Sequence, residues 1–234
     1  MLCLLTIETS TSVCSLTLSV DGKSVFDRME LTGASHAALL GVFASEAVAY
    51  ARNKHLKLDA VAVSAGPGSY TGLRIGVSEA KGLCYGLAIP LIAIPTLKIM
   101  ASQVLRPSPF ALRPNYFCPM IDARRMEVYA AIYDANLNEI RPVQADIMDE
   151  NSYKEYLEKH TVAFFGNGSD KCRPVIQSPN AVFIPDIYPT AQSMISLAEE
   201  AFAKQDFVDT AYFEPFYLKE FQATVAKNKV IKQQ

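Results

Sequence analysis

The residues with the most chemical potential lie between Ser64 and Leu83. Gly66-Pro67-Gly68-Ser69-Tyr70-Thr71-Gly72 closes an apolar run and opens a helical pattern, with the hydroxyls of Ser69 and Thr71 ready to cap it. Glycines let a backbone approach a neighbour closely, and free amides at a helix N-terminus favour an anion. Gly66, Gly68 and Ser69 are therefore candidate phosphate-binding residues. The spacing Gly66-x-Gly68-x-x-x-Gly72 is not the dinucleotide fingerprint, which has one residue fewer between its last two glycines. It is not a P-loop either, because no Gly-Lys-[Ser/Thr] follows. A tight strand-to-helix turn would use the same letters. Glu8-Thr9-Ser10-Thr11-Ser12 supplies a carboxylate and a run of hydroxyls. A lone carboxylate holds a hydrated magnesium ion only with help from substrate phosphates or other groups, and a hydroxyl-rich hairpin turn is the simpler account.

Other chemistries lack their residues. His36, His55 and His160 never stand at metal-ligand spacing, and no Cys-x-x-Cys occurs. Cys3, Cys14, Cys84, Cys118 and Cys172 are scattered, odd in number and set among apolar residues, so they read as reduced core thiols. No Gly-x-Ser-x-Gly elbow is present. A net charge of −2 gives no whole-molecule attraction to nucleic acid. Local basic groups remain. Arg124-Arg125, beside Asp122 and Glu127, is either a contact for a partner or RNA phosphate or a solvated hairpin tip. Lys219, Lys227, Lys229 and Lys232 make the tail mildly basic. No apolar run reaches the roughly 18 residues that span a bilayer, and Met1–Leu5 lacks the basic flank of a signal peptide, so a cytoplasmic location is expected.

Alternation predicts strands over Leu2–Thr9, Val13–Val20 and Ser24–Leu31, with Asp21-Gly22 as a hairpin turn. A helix from His36 to Lys54, capped by Ser35, is expected next. Then come a strand at Leu58–Val63, a helix from the glycine loop to about Gly86, a strand at Pro90–Ile94 and a helix from Thr96. Residues 106–114 are a proline-dense connector. They divide an N-terminal lobe, 1–105, from a second, reduced lobe, 115–188. A closing helix and polar tail take up 189–234. The pattern restarts after the connector. Strands are expected at Tyr116–Ile121, Met126–Tyr133, Glu139–Ile147, Thr161–Phe165 and Val182–Ile184, and helices near Ser152–Lys159, after Ser169 and over Thr190–Ala203. Ile7-Glu8 recurs as Ile121-Asp122. Val61–Ser69 recurs as Val162–Ser169, one residue shorter, which pairs Gly66 and Gly68 with Gly166 and Gly168. Two echoes in the same order suggest a duplicated β-β-β-α-β-α lobe. That makes an α/β protein with the two-lobed actin-like ATPase fold, the architecture of actin, hexokinase and acetate kinase.

Helical spacing also suggests an interface. Gly72, Gly76 and Ala80 line one face of the second helix. Mid-helix glycine costs about 1 kcal/mol against alanine, so the stripe needs a reason. Close approach of another helix is one, with Leu73 turned to the sheet. The first helix carries two apolar stripes, Leu39, Phe43, Ala47 and Tyr50 on one and Leu40, Ala44, Val48 and Ala51 on the other. Either these helices pack only on each other, or they offer a helix-bundle interface of roughly 800 Å² per partner.

Three segments together carry a family resemblance: Ile7-Glu8-Thr9-Ser10, Ser64 to Leu83, and Ile121-Asp122-Ala123-Arg124-Arg125-Met126-Glu127-Val128-Tyr129. They resemble the signature segments of the bacterial TsaB (YeaZ) family, which helps make threonylcarbamoyladenosine on tRNA. The resemblance runs to about Ala211, with a weaker echo at Pro215-Phe216-Tyr217-Leu218-Lys219. It implies the actin-like fold with a reduced second lobe. In such folds Glu8, Thr9 and Ser10 would stand near phosphate and magnesium, so ATP or ADP is the nucleotide to test, although no cofactor is expected for the isolated chain. It also implies a TsaD-like catalytic partner, a TsaE-type ATPase as a further partner, and a homodimer that competes with the heterodimer through the N-terminal helices. Contact with tRNA would be through the complex. The TsaD family carries a His-x-x-x-His pair after the fifth strand. The matching positions here are Thr96 and Met100, so no catalytic residue and no metal ligand are expected, and the chain is read as a non-catalytic scaffold. A self-sufficient ATPase or small-molecule kinase is the alternative, and a peptidase is a more distant one.

Overall fold

The computed structural model describes residues 1–33, 36–105 and 114–219. Its first lobe contains β1 (Cys3–Glu8), β2 (Cys14–Val20), β3 (Lys23–Glu30), α1 (His36–Asn53), β4 (Ala60–Gly66), α2 (Tyr70–Leu87), β5 (Leu91–Pro95) and α3 (Thr96–Leu105). The second contains β6 (Tyr116–Asp122), β7 (Glu127–Tyr133), β8 (Glu139–Ile147), α4 (Lys154–Leu157), β9 (Val162–Phe165) and β10 (Ala181–Ile184). Helix α5 (Ile195–Ala203) is the last element among the described residues.

The two sheets share one topology. The first runs β3-β2-β1-β4-β5, and the second, read from its other edge, runs β8-β7-β6-β9-β10. In both, antiparallel hairpins build the first three strands and parallel crossovers add the last two. The repeated letters at Ile7-Glu8 and Ile121-Asp122 thus mark the same place, the C-terminal end of the central strand. This is the duplicated, two-lobed actin-like ATPase fold.

Burial explains the packing. Leu5, Ile7, Val61 and Val63 meet Leu40, Ala44, Ala47, Val77 and Ala80 of α1 and α2 on one face of the first sheet. The alternate residues Leu4, Ala60, Ala62 and Ile92 meet Ile99 of α3 and Leu197, Ala198 and Ala201 of α5 on the other. The same α3 sends Leu97, Met100, Ala101 and Val104 into the second lobe, against Phe117, Ile121, Ala163 and Phe165. It is therefore a wedge shared by both lobes. The far face of the second sheet packs Phe164, Met120 and Val128 on Tyr153, Leu157 and Ile176.

The helices of the second lobe fall short of the sequence pattern. Ser152–Lys159 yields only α4, and the helix expected after Ser169 is a 3-10 turn at Asp170–Cys172. Pro174 stops that turn within five residues of Ser169, too few for an amphipathic face. The expected Ser35 cap, residues 106–113 of the connector and the tail beyond residue 219 lie outside the described residues. Among those described, no helix is long and apolar enough to cross a membrane.

Candidate functional site

Glu8 ends β1 in the middle of the first sheet and is fully buried. Its Oε1 accepts from Ser10 N at 2.6 Å and Ser64 Oγ at 3.1 Å. Its Oε2 and the hydroxyl of Ser10 have no hydrogen-bond partner among the described residues. Burial pushes the Glu8 carboxyl up to about 7, and the hydrogen bonds from Ser10 and Ser64 pull the other way. Desolvation wins because a carboxylate with one unpaired oxygen loses more hydration than two donors restore.

The glycine loop wraps around this turn. Ser69 N donates to Ser10 O at 2.6 Å, and Ser69 Oγ caps α2 by accepting from Gly72 N at 3.2 Å. Thr9 Oγ1 donates to Gly72 O at 2.7 Å. A Cβ added at Gly68, Gly72 or Gly76 would come closer than 3.0 Å to Ser10 O, Thr9 O or Thr9 Oγ1 respectively. The three glycines form one trough, and the chain's own Thr9-Ser10 lies in it. Of the candidate phosphate residues, Glu8, Ser10 and Ser69 bond to one another, Ser10 takes the space beside Gly68, and Thr9 takes that beside Gly72 and Gly76. Gly66 stands apart from them, against Leu73 and the backbone of Phe216.

The second lobe repeats the device. A Cβ at Gly166 would meet Met120 O and the Met100 side chain closer than 3.0 Å, and one at Gly168 would meet Ile121 C at 2.9 Å. Gly168 N donates to Met120 O at 3.1 Å. The paired glycine loops of the two lobes thus receive the ends of their own central strands.

These contacts correct the interface placement. Gly72, Gly76 and Ala80 do not face outward. They are buried together with Leu73 and Ala47, because the glycine trough receives the β1–β2 turn and not a helix from elsewhere. Leu39, Phe43 and Tyr50 are half-buried against the same core, with Tyr50 on Phe26 at 5.6 Å between ring centroids. The outward face of α1 and α2 is a different set. A groove between the helices is lined by Gly41, Ser45, Val48, Ala49, Glu79 and Leu83. Cβ atoms at Gly41, Gly82 and Gly86 would meet nothing within 4 Å, and Val42 and Tyr85 stand 52% and 90% exposed beside them. The four-residue spacings 41–45–49 and 82–86 were present in the letters as the signal for this face.

Arg124 and Arg125 are exposed at the β6–β7 turn, both with positive φ, 70° and 50°. Two left-handed residues in a tight hairpin make a turn that elsewhere favours Asn-Gly. Lys171 ties its base by donating to Arg125 O at 2.8 Å and to Asp122. Thr96 and Met100, the positions matched to the TsaD histidines, are fully buried at the start of α3. A hydroxyl and a thioether packed between lobes do not fit a divalent metal centre.

Comparison with known proteins gives a consistent set of relatives. The family described as "TsaD: tRNA N6-adenosine threonylcarbamoyltransferase" matches residues 30–227. The chain is 30% identical over 226 residues to the tRNA threonylcarbamoyladenosine biosynthesis protein TsaB of Escherichia coli K12, covering 92% of this chain and 94% of that one. The corresponding protein of Haemophilus influenzae is 27% identical over 237 residues, with coverage of 93% and 94%. Among solved structures, YeaZ from Pseudomonas aeruginosa superposes with a TM-score of 0.78 at 26% identity, covering 93% of this chain and all of that one.

Proposed function

The chain belongs to the TsaB family, within reach of the wider TsaD family, and from that premise we propose that it is a non-catalytic scaffold subunit in the formation of threonylcarbamoyladenosine on tRNA. It binds and steadies a TsaD-type catalytic subunit in the cytoplasm. The observation that carries this reading is the outer face of α1 and α2, where Gly41, Gly82 and Gly86 leave open space beside exposed Val42 and Tyr85. Small residues let a partner helix approach closely, and a flanking tyrosine is the kind of anchor that dominates interface energies. The same face would serve a homodimer, so homodimer and heterodimer compete. A TsaE-type ATPase joins the assembly. Contact with tRNA is made through the complex, with Arg124 and Arg125 as this chain's candidates. No cofactor is required for such work, and calorimetry with ATP and ADP tests that directly.

Light-scattering mass, for the chain alone and mixed with its cognate TsaD-type subunit, tests the reading. A dimer that converts to a one-to-one heterodimer is expected, with Gly82→Trp preventing both. Unchanged association in that variant would remove α1 and α2 from the interface. A chain indifferent to the TsaD-type subunit would refute the scaffold role.

A further inference from the structure

After α5 the chain returns across the first lobe. Val208 bridges Leu91, Phe213 packs on the core beneath α1 and α2, and Lys81 Nζ donates to Ala211 O at 3.0 Å. The segment that follows lies over the glycine loop. Phe216 N donates to Ala65 O at 2.7 Å. Phe216 O sits so low over Gly66 that a Cβ there would be 2.5 Å from it, and Gly66 has φ +105°. Tyr217 packs at a tilt on Tyr70, 4.7 Å between centroids, and accepts from Arg74 Nε at 3.3 Å, while the Arg74 guanidinium lies 4.4 Å over the Tyr70 ring. Two residues later, Lys219 is ion-paired with Glu127, the first residue of β7 in the other lobe.

We propose that Glu214–Lys219 is a latch that seats in the Gly66 site of the first lobe, grips the second lobe at Glu127, and so sets the angle between them. This gives Gly66 an occupant that phosphate chemistry does not. Its φ of +105° already calls for glycine, and the absence of a side chain also leaves room for a peptide backbone, the chain's own, to lie against it. The latch is built for release as well as closure. Its holding groups are one backbone hydrogen bond, the tilted Tyr217–Tyr70 ring contact with the Arg74 hydrogen bond, and a part-exposed ion pair, each modest by itself. Phe216 remains 46% exposed even in the closed state. Opening uncovers Ala65 O, the Gly66 backbone and the Tyr70 ring without disturbing either core. It also frees the two lobes to pivot about α3.

The test uses the full chain and two readouts. One is exchange of the Phe216 amide. The other is the interlobe distance distribution between spin labels placed on Ser24→Cys, exposed on β3 and away from the α1–α2 groove, and Glu150→Cys. In Tyr217→Ala the Phe216 amide should exchange at least about tenfold faster and the distance distribution should broaden. Tyr217→Phe, which removes only the hydroxyl, gives a smaller change of the same sign and serves if alanine costs the fold. Lys219→Glu should also broaden the distribution, and adding Glu127→Lys should restore it. An unchanged distribution in folded Tyr217→Ala and Lys219→Glu would overturn the proposal. So would a broadening in Lys219→Glu that Glu127→Lys fails to reverse.

Discussion

Glu8→Gln isolates what a buried carboxyl does to this fold. In the native chain the group titrates at about 7 against an ordinary 4.5. At about 1.4 kcal/mol for each tenfold change, that displacement corresponds to about 3 kcal/mol. The sign follows from proton counting. Between those two values the folded chain holds a proton that the unfolded chain has lost, so raising the pH favours unfolding. The contribution is fully present below pH 4.5 and is lost as pH rises through about 7. Between pH 5 and pH 8 the wild type should lose about 2–3 kcal/mol from this residue. Glutamine keeps an oxygen for Ser10 N and Ser64 Oγ but cannot ionise. Its amide places donors where Glu8 Oε2 already lacks a partner, so the variant should be about 1–2 kcal/mol less stable at pH 5. The order should approach or cross equality at pH 8. Urea denaturation at the two pH values, each with wild type and variant, measures the difference of slopes. Parallel slopes would refute the argument, because they would mean that Glu8 is ionised in the folded chain already at pH 5.

Two further outcomes follow from burial. Gly76→Ala should destabilise by about 1–3 kcal/mol through overpacking against Thr9 Oγ1, despite the better helix propensity of alanine, whereas Gly82→Ala in open space should stabilise by up to about 1 kcal/mol. Thermal melts of the pair decide it, and equal shifts would mean the trough is not filled by Thr9. All five cysteines are buried, and burial raises the thiols of Cys3, Cys14, Cys84 and Cys172 to about 11 and that of Cys118 further. A disulfide-exchange reagent at pH 8 should therefore find none in the native chain and all five after denaturation.

The succession of strands along the chain and the duplication were legible in the sequence because period-two alternation and repeated turns report directly on strands. The direction of the glycine stripe was not. Helical spacing says that Gly72, Gly76 and Ala80 share a face, but nothing local says which neighbour fills it. At Gly72 and Gly76 that neighbour is Thr9, over sixty positions away, and its approach is a property of the finished sheet. Glu8 was legible as chemistry but not as a buried, half-satisfied carboxyl, since its environment comes from β1, β4 and the loop together. The open face at Gly41, Gly82 and Gly86 could have been read from spacing. The more conspicuous glycines beside it pointed inward. The 3-10 turn after Ser169 was hidden because a repeat shows ancestry of a segment and not how much helix survives in the second copy.

The wedge position of α3 and the return of α5 to the first sheet bear on how the chain is born. When Leu105 leaves the ribosome, β1, β4 and β5 can pair, yet Leu4, Ala60, Ala62 and Ile92 still lack α5. At about 5–20 residues per second, Ile195 follows roughly 5–20 s later. For that interval the first lobe has one clothed face and one that only α3 touches, through Ile99, and α3 has no second sheet to enter. Neither lobe can finish alone. The nascent chain thus exposes that face until α5 arrives, and a stop codon anywhere before α5 removes the segment that covers it.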